Sequence, residues 1–100
     1  MFKTDSHGNT PLLLACRNGQ LEVARALLNR GAAVNARNIL ANSALHEACG
    51  PTAKNKALVD MLIHEFKANT KSRNQMGDTA QEKAKGHGLG YLFEDEPEEA

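Results

Sequence analysis

The sequence predicts an all-α fold of stacked pairs of short antiparallel helices. Three observations carry this expectation. The chain repeats itself at a spacing of 33 to 36 residues. Each copy opens on a hydroxyl residue suited to cap a helix, at Thr10, Ser43 and Thr79. Glycines in the first copy, Gly19 and Gly31, stand where helices of about eight to ten residues would end.

The repeat is visible when the chain is slid along itself. Gly8-Asn9-Thr10-Pro11-Leu12-Leu13-Leu14-Ala15-Cys16 lines up with Ala41-Asn42-Ser43-Ala44-Leu45-His46-Glu47-Ala48-Cys49 at an offset of 33. Val23 then pairs with Val59, Leu27 with Ile63, Ala32 with Ala68, and Arg37-Asn38 with Arg73-Asn74, all at an offset of 36. The change of offset places a three-residue insertion between Cys49 and Val59. A third copy opens with Gly77-Asp78-Thr79-Ala80 and closes at Ala84.

Within the first copy, Thr10 can accept a hydrogen bond from a free amide of the first turn, and Pro11 follows at a position that needs no N–H. A second helix is expected from Leu21 to Arg30, with Val23, Ala26, Leu27 and Leu28 on its apolar side. Residues 32–41 are Asn-rich and non-periodic, which reads as a turning connection. Helices this short are marginal alone, so stacking must hold them.

One hundred residues suffice for one domain. With only four aromatic residues, its core must be built mainly from Leu, Ala, Val and Ile. Net charge is zero, which removes the electrostatic reason to expect nucleic acid or an anionic membrane. The charges are nevertheless uneven: residues 1–37 carry five basic and two acidic groups, residues 38–74 five and three, and residues 75–100 two and seven. Cys16 and Cys49 lie 33 residues apart without a C-x-x-C spacing, and no long apolar run marks a signal peptide or a membrane span. A reducing compartment, cytoplasmic or nuclear, is expected.

Cysteine and histidine invite a test for catalysis or metal. Cys16 and Cys49 occupy equivalent positions after a small Ala, where close helix packing accounts for both. His7, His64 and His87 fall in unrelated parts of the copies, and four-ligand spacing is absent. Gly86-His87-Gly88-Leu89-Gly90 lacks the strand and lysine of a phosphate loop. No enzyme activity, cofactor, metal or small-molecule substrate is expected.

The pattern Asp5, Gly8, Thr10-Pro11-Leu12, Ala15, Gly19, Leu21, Val23, Leu27-Leu28, Gly31-Ala32, Val34-Asn35 resembles the ankyrin repeat. The second copy keeps Leu45-His46, Ala48, Val59 and Ala68, with Ala44 replacing the proline and Lys67 the glycine. The third keeps Gly77, Thr79-Ala80 and Ala84. The resemblance implies a solenoid with hairpin fingers, divided at about 5–37, 38–73 and 74–93, followed by an acidic tail at 94–100. It also implies a protein-binding module whose fingers and first helices line a concave surface. The binding residues carried over are Ser6, His7 and Asn9 in the first finger, Arg37, Ile39, Leu40 and Asn42 in the second, and Gln75, Met76 and Asp78 in the third. Arg17, Asn18 and Glu47 are added from the helices, with Lys83 beside them. His46 matches the family's turn-supporting histidine, and Asn35 matches an asparagine that can be hydroxylated in animal ankyrin repeats.

Ile39, Leu40 and Met76 at expected turn tips, flanked by Arg37, Arg73 and Asn42, form an expected apolar contact centre. Otherwise Ile39 and Leu40 would fold inward over neighbouring fingers. Gln81 replaces a family core leucine, and Leu89, Tyr91, Leu92 and Phe93 read as a terminal cap. The loop at 50–56 reads as a tolerated insertion and the acidic tail as a solvated one. The first copy has no cap of its own. Its outer side is expected to stack on earlier repeats of a longer regulatory protein, enzyme or channel, or on a second copy of itself.

Overall fold

The computed structural model describes residues 4–50, 55–86 and 88 of the chain. Among these described residues five helices follow in order: α1 (Pro11–Arg17), α2 (Leu21–Asn29), α3 (Ala44–Ala48), α4 (Lys56–Asp60), which runs on into a π turn over Met61–Glu65, and α5 (Ala80–Gly86). Among the described residues there is no strand. The expected cap residues Leu89, Tyr91, Leu92 and Phe93, the acidic tail and most of the 50–56 loop lie outside the described residues.

All three expected caps form. Thr10 Oγ1 accepts the Leu13 amide at 3.2 Å and Ser43 Oγ the His46 amide at 3.4 Å. Thr79 Oγ1 accepts the Glu82 amide at 3.2 Å, and the Glu82 carboxylate accepts the Thr79 amide at 2.9 Å, a reciprocal capping box. That amide holds the Glu82 carboxyl below its ordinary pKa. The first helices of the copies lie side by side, α1 on α3 and α3 on α5. α2 packs behind α1, and α4 with its π turn behind α3.

The core uses leucines between helices and small residues where helices approach. Leu12, Leu13, Leu45, Leu58 and Leu62 are buried with Ala15, Cys16, Ala24, Ala44, Ala48, Cys49, Val59, Ala80 and Ala84. Burying each leucine contributes about 1.5–3 kcal/mol. Alanine and cysteine keep the helix axes close, and a larger side chain there would force them apart.

The repeat register differs from the one read in the sequence. Helices α2 and α4 start at Leu21 and Lys56, after Gln20 and Asn55, so the offset at the second helix is 35 (56 − 21) rather than 36. The extra residue enters later, in the π turn. At the end of α2 the Ala32 amide donates to Leu27 O, five residues back, at 3.0 Å; in the second copy the Ala68 amide reaches Leu62 O, six residues back, at 2.8 Å. Two inserted residues therefore lie between the helices and one in the wide turn. Val23 corresponds to Leu58, Ala24 to Val59, Leu27 to Leu62 and Leu28 to Ile63. Such wide turns occur mostly as single-turn bulges in α-helices.

A second correction concerns α2. Ala24 and Leu28 are buried and Leu27 is partly buried, but Val23, at 47% exposure, and Ala26 face solvent. An apolar stripe read from periodicity cannot say which part of it a neighbour covers.

Among the described residues, two non-glycine residues hold left-handed backbone: Ala41 at φ 61° and Lys67 at φ 57°. They stand where the first copy has Gly8 (φ 77°) and Gly31 (φ 95°). A side chain in this conformation costs about 1–2 kcal/mol, partly offset by the flexibility glycine adds to the unfolded chain. Ala41→Gly and Lys67→Gly should each raise unfolding free energy by about 0.5–1 kcal/mol in denaturant titration. An alanine at Lys67 should bring no such gain.

Candidate functional site

Three turns project from the N-terminal ends of α1, α3 and α5, and one acidic or amide side chain organises each. Asp5 Oδ1 accepts the amides of His7 and Asn9 at 2.8 and 2.9 Å, which holds the Asp5 carboxyl below its ordinary pKa. Asn38 Oδ1 accepts those of Leu40 and Asn42 at 3.0 and 3.1 Å. Asn74 Oδ1 accepts those of Met76 and Asp78 at 2.9 and 3.0 Å. Each turn is thus closed from inside by the same side-chain geometry.

Neighbouring turns are also tied to each other. The Ile39 amide donates to His7 O at 3.0 Å and the Gln75 amide to Leu40 O at 2.9 Å. Asn38 Nδ2 reaches Asn9 Oδ1 at 2.8 Å, and Asn74 Nδ2 reaches Asn42 Oδ1 at 2.9 Å. Gln75 Nε2 donates to Ile39 O at 2.7 Å, and Arg37 to Arg73 O at 3.1 Å. Asp5, Asn38 and Asn74 were not among the expected site residues, although their recurrence at offsets of 33 and 36 is legible in the sequence.

The expected binding residues divide into two groups. Ser6, His7, Arg37, Ile39, Leu40, Gln75 and Met76 are exposed along the row of tips, and Asp78 is half-buried at its base. Asn18 is exposed too, but it caps the far end of α1, where its Nδ2 donates to Leu14 O. Asn9, Asn42 and Glu47 are corrected: all three are buried, and their side-chain oxygens accept hydrogen bonds inside the chain. Glu47 accepts from Arg17 Nε at 3.1 Å and from Asn38 Nδ2 at 3.0 Å. Arg17, half-buried, extends the network to Asn9 Oδ1 at 3.3 Å. These polar groups had to be satisfied once the turns stacked over them.

The exposed tips also carry large apolar side chains. Ile39 is 55%, Leu40 54% and Met76 84% exposed. The inward folding of Ile39 and Leu40 is not observed. A concavity of about 280 Å3 lies between the first two turns, lined by His7, Asn9, Arg17, Asn38, Ile39 and Leu40. Its floor is polar and fixed, and its wall is aliphatic.

His46 carries the link to the third turn. Its Nδ1 accepts the Ser43 amide at 3.2 Å, so the ring proton sits on Nε2 and donates to Asp78 O at 2.9 Å. Burial, above all, lowers the imidazole pKa below 6.5. Cys16 and Cys49 are free and buried; burial pushes both thiols up to about 12, which keeps them protonated and unreactive at neutral pH. Among the described residues no cluster of His, Cys, Asp and Glu could hold a metal, and no helix is long and apolar enough to cross a membrane.

Two predictions follow from these bonds. The unfolded chain binds a proton at His46 at higher pH than the folded chain, so stability is full above about pH 6.5 and falls as pH drops below it. Melting curves at pH 7 and pH 5 should show this loss, and His46→Gln should flatten it from a lower starting stability. Glu47→Ala should lower stability by about 1–3 kcal/mol by stranding the Asn38 and Arg17 donors, seen in chemical denaturation.

The family model described as Ankyrin repeat matches residues 7–39, which take in the first turn's tip, α1, α2 and the approach to the second tip. The mouse protein described as Protein fem-1 homolog A-like is 51% identical over 41 residues, covering 41% of this chain and 6% of that protein. The chain thus matches only a small part of that relative's length. The chain thus carries a match to the ankyrin repeat at residues 7–39, and the caps and turns of that repeat recur in the two copies that follow.

Proposed function

We propose that this chain is a non-catalytic protein-binding module that holds its partner on the row of finger tips. The observation that carries this reading is the exposure of Ile39, Leu40 and Met76 on turns whose backbones are fixed by hydrogen bonds. Large apolar side chains on a rigid support desolvate with little ordering cost when a partner covers them. Arg37, Arg73, Gln75 and His7 form a polar rim around them, and the concavity between the first two turns is large enough for one apolar side chain of the partner. Ankyrin repeats are generally protein-interaction modules, and this supports the same reading.

Asn9, Asn42 and Glu47 act in this proposal from beneath, by fixing the tips, rather than by touching the partner. We place the repeats at 5–37, 38–73 and 74–93, followed by the tail at 94–100, and the protein in a reducing cytoplasmic or nuclear compartment, in keeping with its two buried free thiols. A second reading, that the chain is a segment of a larger regulatory protein, enzyme or channel, is favoured by one observation: the matched mouse protein is far longer than the matched stretch.

Affinity capture with the wild type and with the combined Ile39→Asp, Leu40→Asp, Met76→Asp variant tests the proposal. The variant should keep its helical circular dichroism and bind the captured protein at least about tenfold more weakly. Equal binding by a folded variant removes the finger tips from the interface.

A further inference from the structure

Beneath the turns, the two junctions between neighbouring copies use the same positions but different charges. At the first junction Glu47, four residues after the Ser43 cap, accepts from Arg17 Nε at 3.1 Å and from Asn38 Nδ2 at 3.0 Å. Arg17 lies seven residues after the Thr10 cap. Counting the same steps from Ser43 and Thr79, the second junction has Gly50 in place of Arg17, Lys83 in place of Glu47 and Asn74 in place of Asn38. A cation thus replaces the carboxylate, and glycine supplies no side chain to answer it.

Among the described residues, two donors at this junction lack an acceptor. Asn74 Nδ2 donates to Asn42 Oδ1 at 2.9 Å, but no carboxylate takes its second N–H as Glu47 takes that of Asn38. Lys83 is half-buried on α5 and pairs with no acid. Glu47 is held by Arg17 and Asn38, and Glu82 by Arg73 and the Thr79 amide, so neither answers it; nor does Asp78 at the base of the third turn. The Lys83 ammonium faces α3. After burial and, for His46, the bond to Asp78, its charge acts on both His46 and Cys49 and lowers the pKa of each.

We infer that the second junction receives an aspartate or glutamate side chain of the bound partner, next to an aliphatic residue of the partner that rests on Leu40 and Met76. This rests on the finger-tip reading above and names the chemistry that the same surface selects. Glu47 shows inside the chain what the place accepts: a carboxylate with one oxygen on an asparagine amide and the other on a cation. A partner carboxylate at the second junction would take the Asn74 N–H on one oxygen and the Lys83 ammonium on the other. A charge-assisted bond of this kind is stronger than a neutral one, and a half-buried cation is screened less than an exposed one. The apolar wall beside it is fixed, since Gln75 is bonded through its amide to Leu40 O and through its side chain to Ile39 O.

Random peptides displayed on phage and selected on the full chain test this. Each is joined to the coat protein at its C-terminal end, so a carboxylate can come only from an aspartate or glutamate side chain. The wild type should enrich peptides with one acid at a fixed spacing from an aliphatic residue. For one such peptide, synthesised with an amidated C-terminus, Lys83→Glu should weaken binding at least about tenfold, and exchanging the peptide's acid for lysine should restore binding to the variant. Lys83→Glu gives α5 the residue that α3 carries at this position, and circular dichroism checks that it folds. Peptides without a consistent acid, equal binding by Lys83→Glu, or a library that yields no binder each overturn the inference. A peptide that depends on Lys83 yet binds the folded Ile39→Asp, Leu40→Asp, Met76→Asp variant in full overturns instead the finger-tip reading.

Discussion

The side chain of Asn38 makes four hydrogen bonds: its oxygen takes the amides of Leu40 and Asn42, and its nitrogen reaches Asn9 of the preceding turn and Glu47 of α3. One amide thereby closes a turn, fixes it to its neighbour and ties it to a helix. The rest of the molecule depends on such links because its helices cannot stand alone. α3 has only five residues, and a helix of that length has no stability of its own in water. Stacking provides the stability, and the turns set the distance at which helices stack.

This explains why buried polarity and exposed apolarity occur together at one end of the fold. Asn9, Asn42, His46 and Glu47 are buried because they satisfy the donors and acceptors that stacked turns bring inside. With those needs met below, the tips have no internal use for Ile39, Leu40 and Met76, and a rigid backbone holds them in water. A partner that covers them would gain apolar contact without ordering a loop. The face of α2 is exposed for a different reason: the second copy covers one side of the helix, while no described residue covers the other.

The π turn shows how the fold absorbs an irregular sequence. One residue more than in the first copy lies between Leu62 and Ala68, and the turn widens while both ends keep their places. Straight matching of residues misses this, since Val59 resembles Val23 more than it resembles Ala24. Hydrogen-bond register, rather than similarity, assigns the pairs. The same limit applied to Asn9, Asn42 and Glu47: composition places polar residues at a surface, and only the satisfied network reveals them underneath it.

Local chemistry was legible in the chain. Thr10, Ser43 and Thr79 announce helix starts, Gly19 and Gly31 announce stops, and the recurrence at 33 to 36 residues announces stacked copies, because caps, left-handed turns and repeats act over a few residues. The outward aliphatic tips at Ile39 and Leu40 were legible for the same reason, as apolar residues set within a turn. Tertiary structure alone decided which polar residues are consumed inside, where the extra residue of the second copy is taken up, and which side of α2 is left open. Each of those outcomes depends on what a neighbouring copy covers or bonds, and coverage is a property of the packed stack.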